Sequence, residues 1–431
     1  MTLIRYAHLA DIHLGSFREK KLKQLHIKQF IKLIDKIIDE ELDFVLIAGD
    51  IFNVAMPPLE YVELVIEQVN RLKKEGIQVF VIGGSHDYSL THKSFIQVLH
   101  SAGVWVDAGQ WEIKDEQTIS LIPTKITIKD IDIEICGVLG RKNGLDTKLY
   151  EKINSQETQQ STPDSSNNSY SIFMFHTTIQ ELLPSRLKQI QNSYSIKQLP
   201  KGFNYYAGGH IHVPNHIIQE DNSIISYCGP LFPNSFSEMK EGFSGFNVVE
   251  YDSSKQLQTM KYTPLPLISI IQLSTDCSSL SIDEIDEKVE TEIEQVQKET
   301  NQNIQDSIIL FELYGEVRES LNTLDISKYI DTLYSQGAYL VVKNTLKLSS
   351  KKTQIKEHNY QFSTIQELEH KISSGFYSLT NEEENNDIQI DTKINFIEQL
   401  LQLDTKKLED ETNYHFEERI ITSVKKILEK E

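Results

Sequence analysis

The sequence predicts a layered α/β protein: a two-sheet domain over residues 1–262, a smaller α/β cap domain over 263–348, and a linker with a helical tail over 349–431. Three observations predict it. Short apolar runs alternate with segments of helical periodicity in the first part of the chain, the pattern of strands and helices packed in layers. Strand-like stretches then predominate through residue 227 and read as a second sheet packed on the first. Beyond residue 262 the strand–helix alternation restarts on a smaller scale.

The elements follow in order. Residues 4–9 form a short apolar run, and 24–39 carry Ile27, Phe30, Ile31, Ile34, Ile37 and Ile38 at helical spacing. Residues 44–48 read as a buried strand, 61–74 as a helix and 79–82 as the next strand. Residues 126–136, 171–175, 204–207 and 223–227 supply the second sheet. Residues 154–169, rich in Ser, Gln, Asn and Thr and containing Pro163, lack the apolar surface to order themselves and read as a surface insertion. Thr263-Pro264-Leu265-Pro266 predicts a stiff connector. In the cap, 267–273, 308–317 and 338–346 are strand-like, while 282–300 (acidic and amphipathic) and 326–335 are helical. A polar linker, 349–359, leads to helices near 364–373, 392–403 and 414–429, interrupted by an acidic loop at 381–391. Short amphipathic helices after a finished domain suit docking on a partner. Folding back on their own domain is equally open.

Composition narrows the class. Hydrophobic residues at 39% and charged residues at 25% of 431 residues describe a soluble globular protein of two or three domains. The first residues lack the features of a signal peptide, and no apolar run approaches the roughly 20 residues of a membrane span, so no membrane association is expected. Cys136, Cys228 and Cys277 are too far apart for a zinc knuckle or a disulfide framework, which fits a reducing cytoplasm. The net charge of −20, from 63 acidic and 43 basic residues, opposes global attraction to nucleic acid. Any DNA binding must then come from bound cations, local basic patches or a partner. Arg18, Lys20, Lys21, Lys23, Arg141 and Lys142 are the basic candidates, and Phe17, Phe52 and Tyr88 could stack on bases or fill core.

Five short motifs carry the chemistry: Asp11-Ile12-His13, Gly49-Asp50, Gly84-Ser85-His86-Asp87, His176, and Gly208-Gly209-His210-Ile211-His212. Each is weak alone, since a lone Asp-x-His is usually a turn and a lone histidine usually core. Their common placement is what counts. Each directly follows an apolar run that reads as a strand, and in layered α/β folds the carboxyl ends of strands form the rim where ligands bind. Glycines there permit tight turns and close backbone approach. Carboxylate and imidazole without thiolate favour Mn, Fe, Zn or Mg. Asp11 and Asp50 cannot neutralise two divalent cations, which leaves about +2 for a phosphodiester to meet. Two cations about 3.5–4 Å apart generate hydroxide near neutral pH and stabilise attacking and leaving oxygens.

With those residues in hand, the pattern resembles the calcineurin-like metallophosphoesterases, and more narrowly the SbcD-type nuclease subunits of DNA double-strand-break repair. His8-Leu9-Ala10-Asp11-Ile12-His13-Leu14-Gly15, Gly49-Asp50-Ile51-Phe52 and Pro57-Pro58 carry the likeness, which covers residues 1–250. The resemblance implies a two-sheet metallophosphoesterase domain in which Asp11, His13, Asp50 and His212 hold one metal. Asp50 would bridge to a second metal held by Ser85, His176 and His210. It implies His86 as general acid or transition-state stabiliser, with Asp87 and Asn53 as candidates for orienting it or supporting the transition state. It further implies two divalent cations, with manganese preferred, and exonuclease or endonuclease action on DNA ends. An SbcC-like coiled-coil ABC ATPase would be gripped by the C-terminal helices, and there is room for a homodimer. Two positions depart from the family: Ser85 stands where it usually has Asn, and Asn53 where it often has His. The first predicts a weaker second metal, the second an altered balance of exo- to endonuclease action. Two other readings stay open: a small-molecule or nucleotide phosphodiesterase on the same metal core, and a catalytically weakened scaffold for binding DNA ends.

Overall fold

The structure, a computed structural model, describes residues 3–88, 94–114, 118–140, 150, 152–153, 169–187, 193–299 and 304–350. β1 (Leu3–Leu9), α1 (Lys20–Asp39), β2 (Phe44–Ala48), α2 (Leu59–Lys74), β3 (Gln78–Ile82), α3 (Phe95–Ser101) and β4 (Val106–Asp107) follow one another in strict alternation. The four strands pair in parallel in the order β1-β2-β3-β4. All five residues of β2 are buried. Such a strand is a continuous apolar run because both faces of a parallel sheet are covered. Val45 and Ile47 meet Leu33, Ile37, Val65 and Val69 of α1 and α2 in one core. Phe44 and Leu46 point to the other face, into a core shared with Ile133, Ile172, Met174 and Tyr205. Helix α1 starts where Glu19 accepts the Leu22 N–H, satisfying one orphan donor of its first turn.

β5 (Trp111–Ile113) and β6 (Ile119–Leu121) form a small two-stranded sheet. β7 (Thr124–Ile128) and β8 (Ile131–Val138) are a hairpin turned by Lys129 and Asp130, both at positive φ. β9 (Ser169–His176), β10 (Tyr205–Gly209), β11 (Asn215–Ile218) and β12 (Ile224–Tyr227) complete the second sheet, ordered β11-β12-β10-β9-β8-β7. α4 (Phe236–Glu241) then precedes a second hairpin, β13 (Gly245–Asp252) and β14 (Leu257–Pro264), which returns to the first sheet. There β13 pairs antiparallel with β1, giving the order β14-β13-β1-β2-β3-β4. The connector expected at 263–266 is therefore in part strand: β14 runs through Pro264, and Leu265 is buried in the first core.

The cap comprises β15 (Ile270–Asp276), α5 (Ile282–Glu299), β16 (Ile308–Val317), α6 (Ser327–Ser335), β17 (Leu340–Asn344) and β18 (Leu348–Ser350). Its strands all pair in parallel around β16. Ile285, Val289 and Ile293 of α5 pack with Phe311, Leu313 and Tyr329. The cap is seated on the first domain by Ile308, Leu310 and Leu340 against Leu22, Leu25, Phe232 and Met239. The linker expected at 349–359 begins as β18, with Ser350 buried. Residues 154–168 of the predicted insertion and the three tail helices lie outside the described residues, while Ser169 already opens β9. Among the described residues no helix is long and apolar enough to cross a membrane. Mixed α/β layering with two principal sheets is the architecture the sequence predicts.

Candidate metal centre

The five motifs lie at the carboxyl ends of β1, β2, β3, β9 and β10, with His176 the last residue of β9 and Gly208-Gly209 closing β10, and backbone hydrogen bonds tie the rim together. The Asp11 N–H donates to the Gly49 carbonyl at 3.1 Å and the His13 N–H to the Asp50 carbonyl at 2.9 Å. The His210 N–H donates to both Asp11 carboxylate oxygens, at 3.1 and 3.0 Å. The His86 N–H donates to Asp50 Oδ1 at 2.7 Å and the Ser85 hydroxyl to Asp50 Oδ2 at 3.2 Å. Two glycines make this crowding feasible. A Cβ on Gly49, whose φ is +91°, would lie 2.3 Å from His176 Nδ1, and one on Gly84 would lie 2.2 Å from Asp50 Oδ1.

Three groups of donor atoms result: Asp11 with His13 and His212, His13 with Asp50 and His86, and Asp50 with His176 and His210. Within each, the donors lie within 4.8 Å of one another. His13 Nε2 is 3.2 Å from His212 Nε2, 3.7 Å from Asp50 Oδ2 and 3.9 Å from Asp11 Oδ1. His176 Nε2 is 3.1 Å from Asp50 Oδ2, and the ring of His86 meets that of His13 edge to face at 4.9 Å. Every residue expected as a ligand is thus in one neighbourhood, with Asp50 in two of the three groups.

Electrostatics follows from burying two carboxylates beside several imidazoles. Burial opposes ionisation of Asp50 and Asp11, but neighbouring histidines prevail: both carboxyls are held below their ordinary value, chiefly by His176 for Asp50 and His212 for Asp11. Burial likewise disfavours the imidazolium of His176, yet Asp50 raises it to about 9. At His212 the burial penalty is overcome by Asp11 and then Glu238, which raise it to about 10. His13 is lowered to about 4 because burial outweighs Asp50 and Asp11, and His210 is lowered by burial and by the charge of His176. In the cation-free protein, protons on His176 and His212 compensate the carboxylates. A cation at the same atoms would compete with those protons.

The donor set fits divalent cations. Imidazole ligates through a lone pair, and which nitrogen carries it depends on the partner of the other. His212 Nδ1 faces Glu238 Oε2 at 3.0 Å, His176 Nδ1 the Ala48 carbonyl at 2.8 Å, and His86 Nδ1 the Asn53 carbonyl at 2.8 Å. The Nε2 atoms of His212 and His176 are thereby turned toward Asp11 and Asp50. His176 Nε2, fully buried, has no aligned hydrogen-bond partner. Oxygen and nitrogen donors without thiolate select the harder cations.

Other expected residues take different places. Asp87 does not contact the His86 imidazole. Its carboxylate accepts N–H groups from Gly84, Ile51 and Phe52 at 2.9, 3.3 and 3.1 Å, bracing the loops after β2 and β3. Burial and then the charge of Asp50 raise Asp87 to about 7. Asn53 orients His86 through its main-chain carbonyl rather than its side chain. Phe52 is core, and Phe17 packs edge-on against His26 and Phe232. Tyr88 is half-buried, with its ring over Gly83. Lys21 donates to the Tyr339 carbonyl of the cap and Lys23 pairs with Glu60, leaving Arg18 and Lys20 as exposed candidates; Arg141 and Lys142 lie outside the described residues. The sequence reading missed Glu238, whose only signal is the Ser235-x-x-Glu238 spacing of a helix start. It also missed His8, buried between Tyr205 Oη at 2.9 Å and the Gly208 carbonyl at 3.1 Å, under the histidine loop. A cavity of about 740 Å³ beside Asp43, Glu75 and Ile128 is at the opposite end of the strands and contains none of these groups.

A two-sheet α/β fold with this rim of aspartates and histidines defines a metallophosphoesterase domain. The sequence profile described as calcineurin-like phosphoesterase matches residues 4–214, and the chain carries a domain of that class. Curated relatives narrow the likeness. The chain is 26% identical over 346 residues to the DNA double-strand break repair protein Mre11 of Methanococcus maripaludis, covering 77% of this chain and 84% of that one. It is 28% identical over 233 residues to the protein of the same name from Archaeoglobus fulgidus, covering 52% of this chain and 49% of that one. The match therefore spans most of the first relative but about half of the second. Among solved structures, a dimetal phosphatase from Danio rerio aligns at a TM-score of 0.37 and 11% identity, over 61% of this chain and 96% of that one.

Proposed function

We propose that this chain is a two-metal nuclease that hydrolyses phosphodiesters at DNA ends in double-strand-break repair. The observation that carries the reading is Asp50, shared between the His13–His86 group and the His176–His210 group at the rim of both sheets. In this reading Asp11, His13, Asp50 and His212 hold one cation, and Asp50, Ser85, His176 and His210 the other. Two divalent cations held there, Mn²⁺ by family likeness, would supply a hydroxide near neutral pH and charge to offset the phosphodiester.

The chain's own groups do the rest. Asp50 is kept ionised by its neighbours and fixed by the His86 N–H and the Ser85 hydroxyl. His86, anchored through Nδ1 on the Asn53 carbonyl, would present Nε2 to a phosphate, for a hydrogen bond to a phosphoryl oxygen or proton transfer to the leaving oxygen. Ser85 spends its hydroxyl proton on Asp50 and offers a shorter, weaker donor than an amide would, which fits a looser second cation. The names of the curated relatives favour DNA over small phosphodiesters, as does a cap seated by its own apolar contacts on the phosphoesterase domain.

The decisive assay presents linear duplex DNA and cyclic nucleotides side by side with Mn²⁺. Cleavage of the small substrate alone would defeat the nuclease reading. We further propose an SbcC-like ATPase partner that binds through residues 354–431, the second of the two units into which the chain divides. Truncation after Thr353, which spares β18, is expected to abolish association with the ATPase while leaving metal uptake intact. Association that survives truncation would reassign the tail. Three free, buried cysteines fit a reducing compartment such as the cytoplasm.

A further inference from the structure

We propose that Glu238 is the positioning residue of His212: it grips the imidazole by Nδ1 so that Nε2 faces Asp11 and His13. The inference rests on the reading of His212 as a cation ligand and adds a residue outside the ligand set.

The need is local. His176 sits fully buried with its Nδ1 on a strand carbonyl, whereas His212 lies in the loop beyond β10 with 23% of its side chain exposed. Among the described residues, Glu238 is the group that holds His212 Nδ1, at 3.0 Å. Nε2 is then aimed inward, 3.6 Å from Asp11 Oδ1 and 3.2 Å from His13 Nε2. A carboxylate that accepts the Nδ1–H fixes the tautomer with its lone pair on Nε2 and makes that nitrogen a better ligand.

Glu238 is itself held from two sides. Its Oε2 accepts the Asn234 N–H at 2.9 Å, and its Oε1 accepts the Ser235 hydroxyl at 3.1 Å. Asn234 Oδ1 accepts from the Ser16 hydroxyl at 3.0 Å, and the Ser16 N–H donates to the His13 carbonyl at 3.1 Å. The contacts therefore close a ring from His212 through Glu238, Asn234 and Ser16 back to His13. Two histidines contributed by distant parts of the chain are kept in register by a support that contains no ligand of its own. α4, which carries Glu238, is also tied to the cap: Lys240 pairs with Glu312 at 2.7 Å, and the Gln272 amide donates to the Lys240 carbonyl at 2.7 Å.

The test is calorimetric titration of the full-length protein with Mn²⁺, with wild type compared to Glu238→Ala, Glu238→Gln and Ser235→Ala. Glu238→Ala is expected to weaken one of two binding steps by about 10–100-fold, the size of effect seen when such outer partners are removed. That step should be the one His212→Ala also removes, and the other step should stay unchanged. Glu238→Gln, whose amide oxygen still accepts the Nδ1–H, should recover part of the loss. Ser235→Ala removes the helix cap and one of the two holds on Glu238 but leaves the Asn234 N–H in place, so it should weaken the same step by less than Glu238→Ala does. Equal weakening of both steps, an equal loss in Ser235→Ala, or normal uptake by Glu238→Ala overturns this inference alone. A wild-type protein that takes up no Mn²⁺ overturns the reading of the site itself.

Discussion

Asp50→Asn preserves shape and removes one charge, which isolates the electrostatics of the centre. In the cation-free protein Asp50 Oδ2 lies 3.1 Å from His176 Nε2, and His176 is raised from 6.5 to about 9 although burial alone would lower it. A group whose folded pKa exceeds its unfolded value contributes stability that is complete below the unfolded pKa and is lost as pH rises through the folded one. Here the window runs from 6.5 to about 9. At about 1.4 kcal/mol per tenfold change in protonation, the pair is worth roughly 3 kcal/mol. The depressed Asp50 carboxyl is the same interaction seen from its partner and is counted once. In Asp50→Asn burial prevails and His176 stays neutral across the window. The margin between wild type and variant, from urea denaturation in EDTA, should therefore shrink by roughly 3 kcal/mol as pH rises from 6.5 past 9. A margin that stays constant with pH would refute the argument, as would an NMR titration in which His176 of the wild type loses its proton below pH 6.5.

His86→Ala should cut hydrolysis by about 10²–10⁴-fold while both cations still bind, because the ring contributes proton transfer and not the bridging carboxylate; full activity would point to another general acid. Gly84→Ala places a methyl 2.2 Å from Asp50 Oδ1 and should cost about 1–3 kcal/mol together with metal uptake, as read by thermal melting and metal analysis. Ser85→Asn offers an amide oxygen with longer reach and should tighten the weaker cation by about tenfold, or ~1.4 kcal/mol, in a Mn²⁺ isotherm; an unchanged isotherm would remove Ser85 from the site. Lys240→Met removes the cation from the 6% exposed carboxylate of Glu312, leaving it Ser274 and Asn344 as donors, and should cost about 1–3 kcal/mol, most of it recovered when Glu312→Gln is added.

The parallel strands were legible because a strand covered on both faces must be apolar throughout, as β2 is at every residue. The ligand motifs were legible for a related reason: each follows such a run, so a polar residue there stands out. The β13–β14 hairpin escaped because its direction depends on pairing with β1, more than two hundred residues away, and pairing leaves little trace in local sequence. The same limit hid the start of β18 inside an apparently polar linker, since Ser349 and Ser350 pair through the backbone with β16. Within the site, residue type foretold which groups donate but not what holds them. Asp87 looked like a partner for His86 because it is adjacent, yet adjacent side chains diverge, and its carboxylate turned to three backbone N–H groups instead. Asn53 matters through a carbonyl that any residue would carry. Glu238 announced a helix start and gave no hint of His212.

Backbone strain gives an independent argument that these loops are built for a ligand. Asp11, His13 and Asp50 adopt φ of 51°, 51° and 52°, and His210 adopts 90°. Such conformations cost about 1–3 kcal/mol each for residues other than glycine and persist only where the surroundings over-determine them. The other positive-φ residues, such as Lys129 and Asp130, serve tight turns where chain reversal explains them. At the rim, His210 opens the reversal from β10 to β11, whereas Asp11, His13 and Asp50 lie in the longer loops that lead to α1 and α2. Each of the four is held by a neighbour's backbone or carboxylate: Asp11 by the Gly49 carbonyl, His13 by the Asp50 carbonyl, Asp50 by the His13 and His86 N–H groups, and His210 by the Asp11 carboxylate. The loops therefore constrain one another, and none can relax while the others stay in place. A purely structural rim would gain stability by substituting glycine or by straightening. Aspartate and histidine at strained positions, with donor atoms gathered within 4.8 Å in each of three groups, fit a divalent-cation site whose occupation would offset the cost of the backbone.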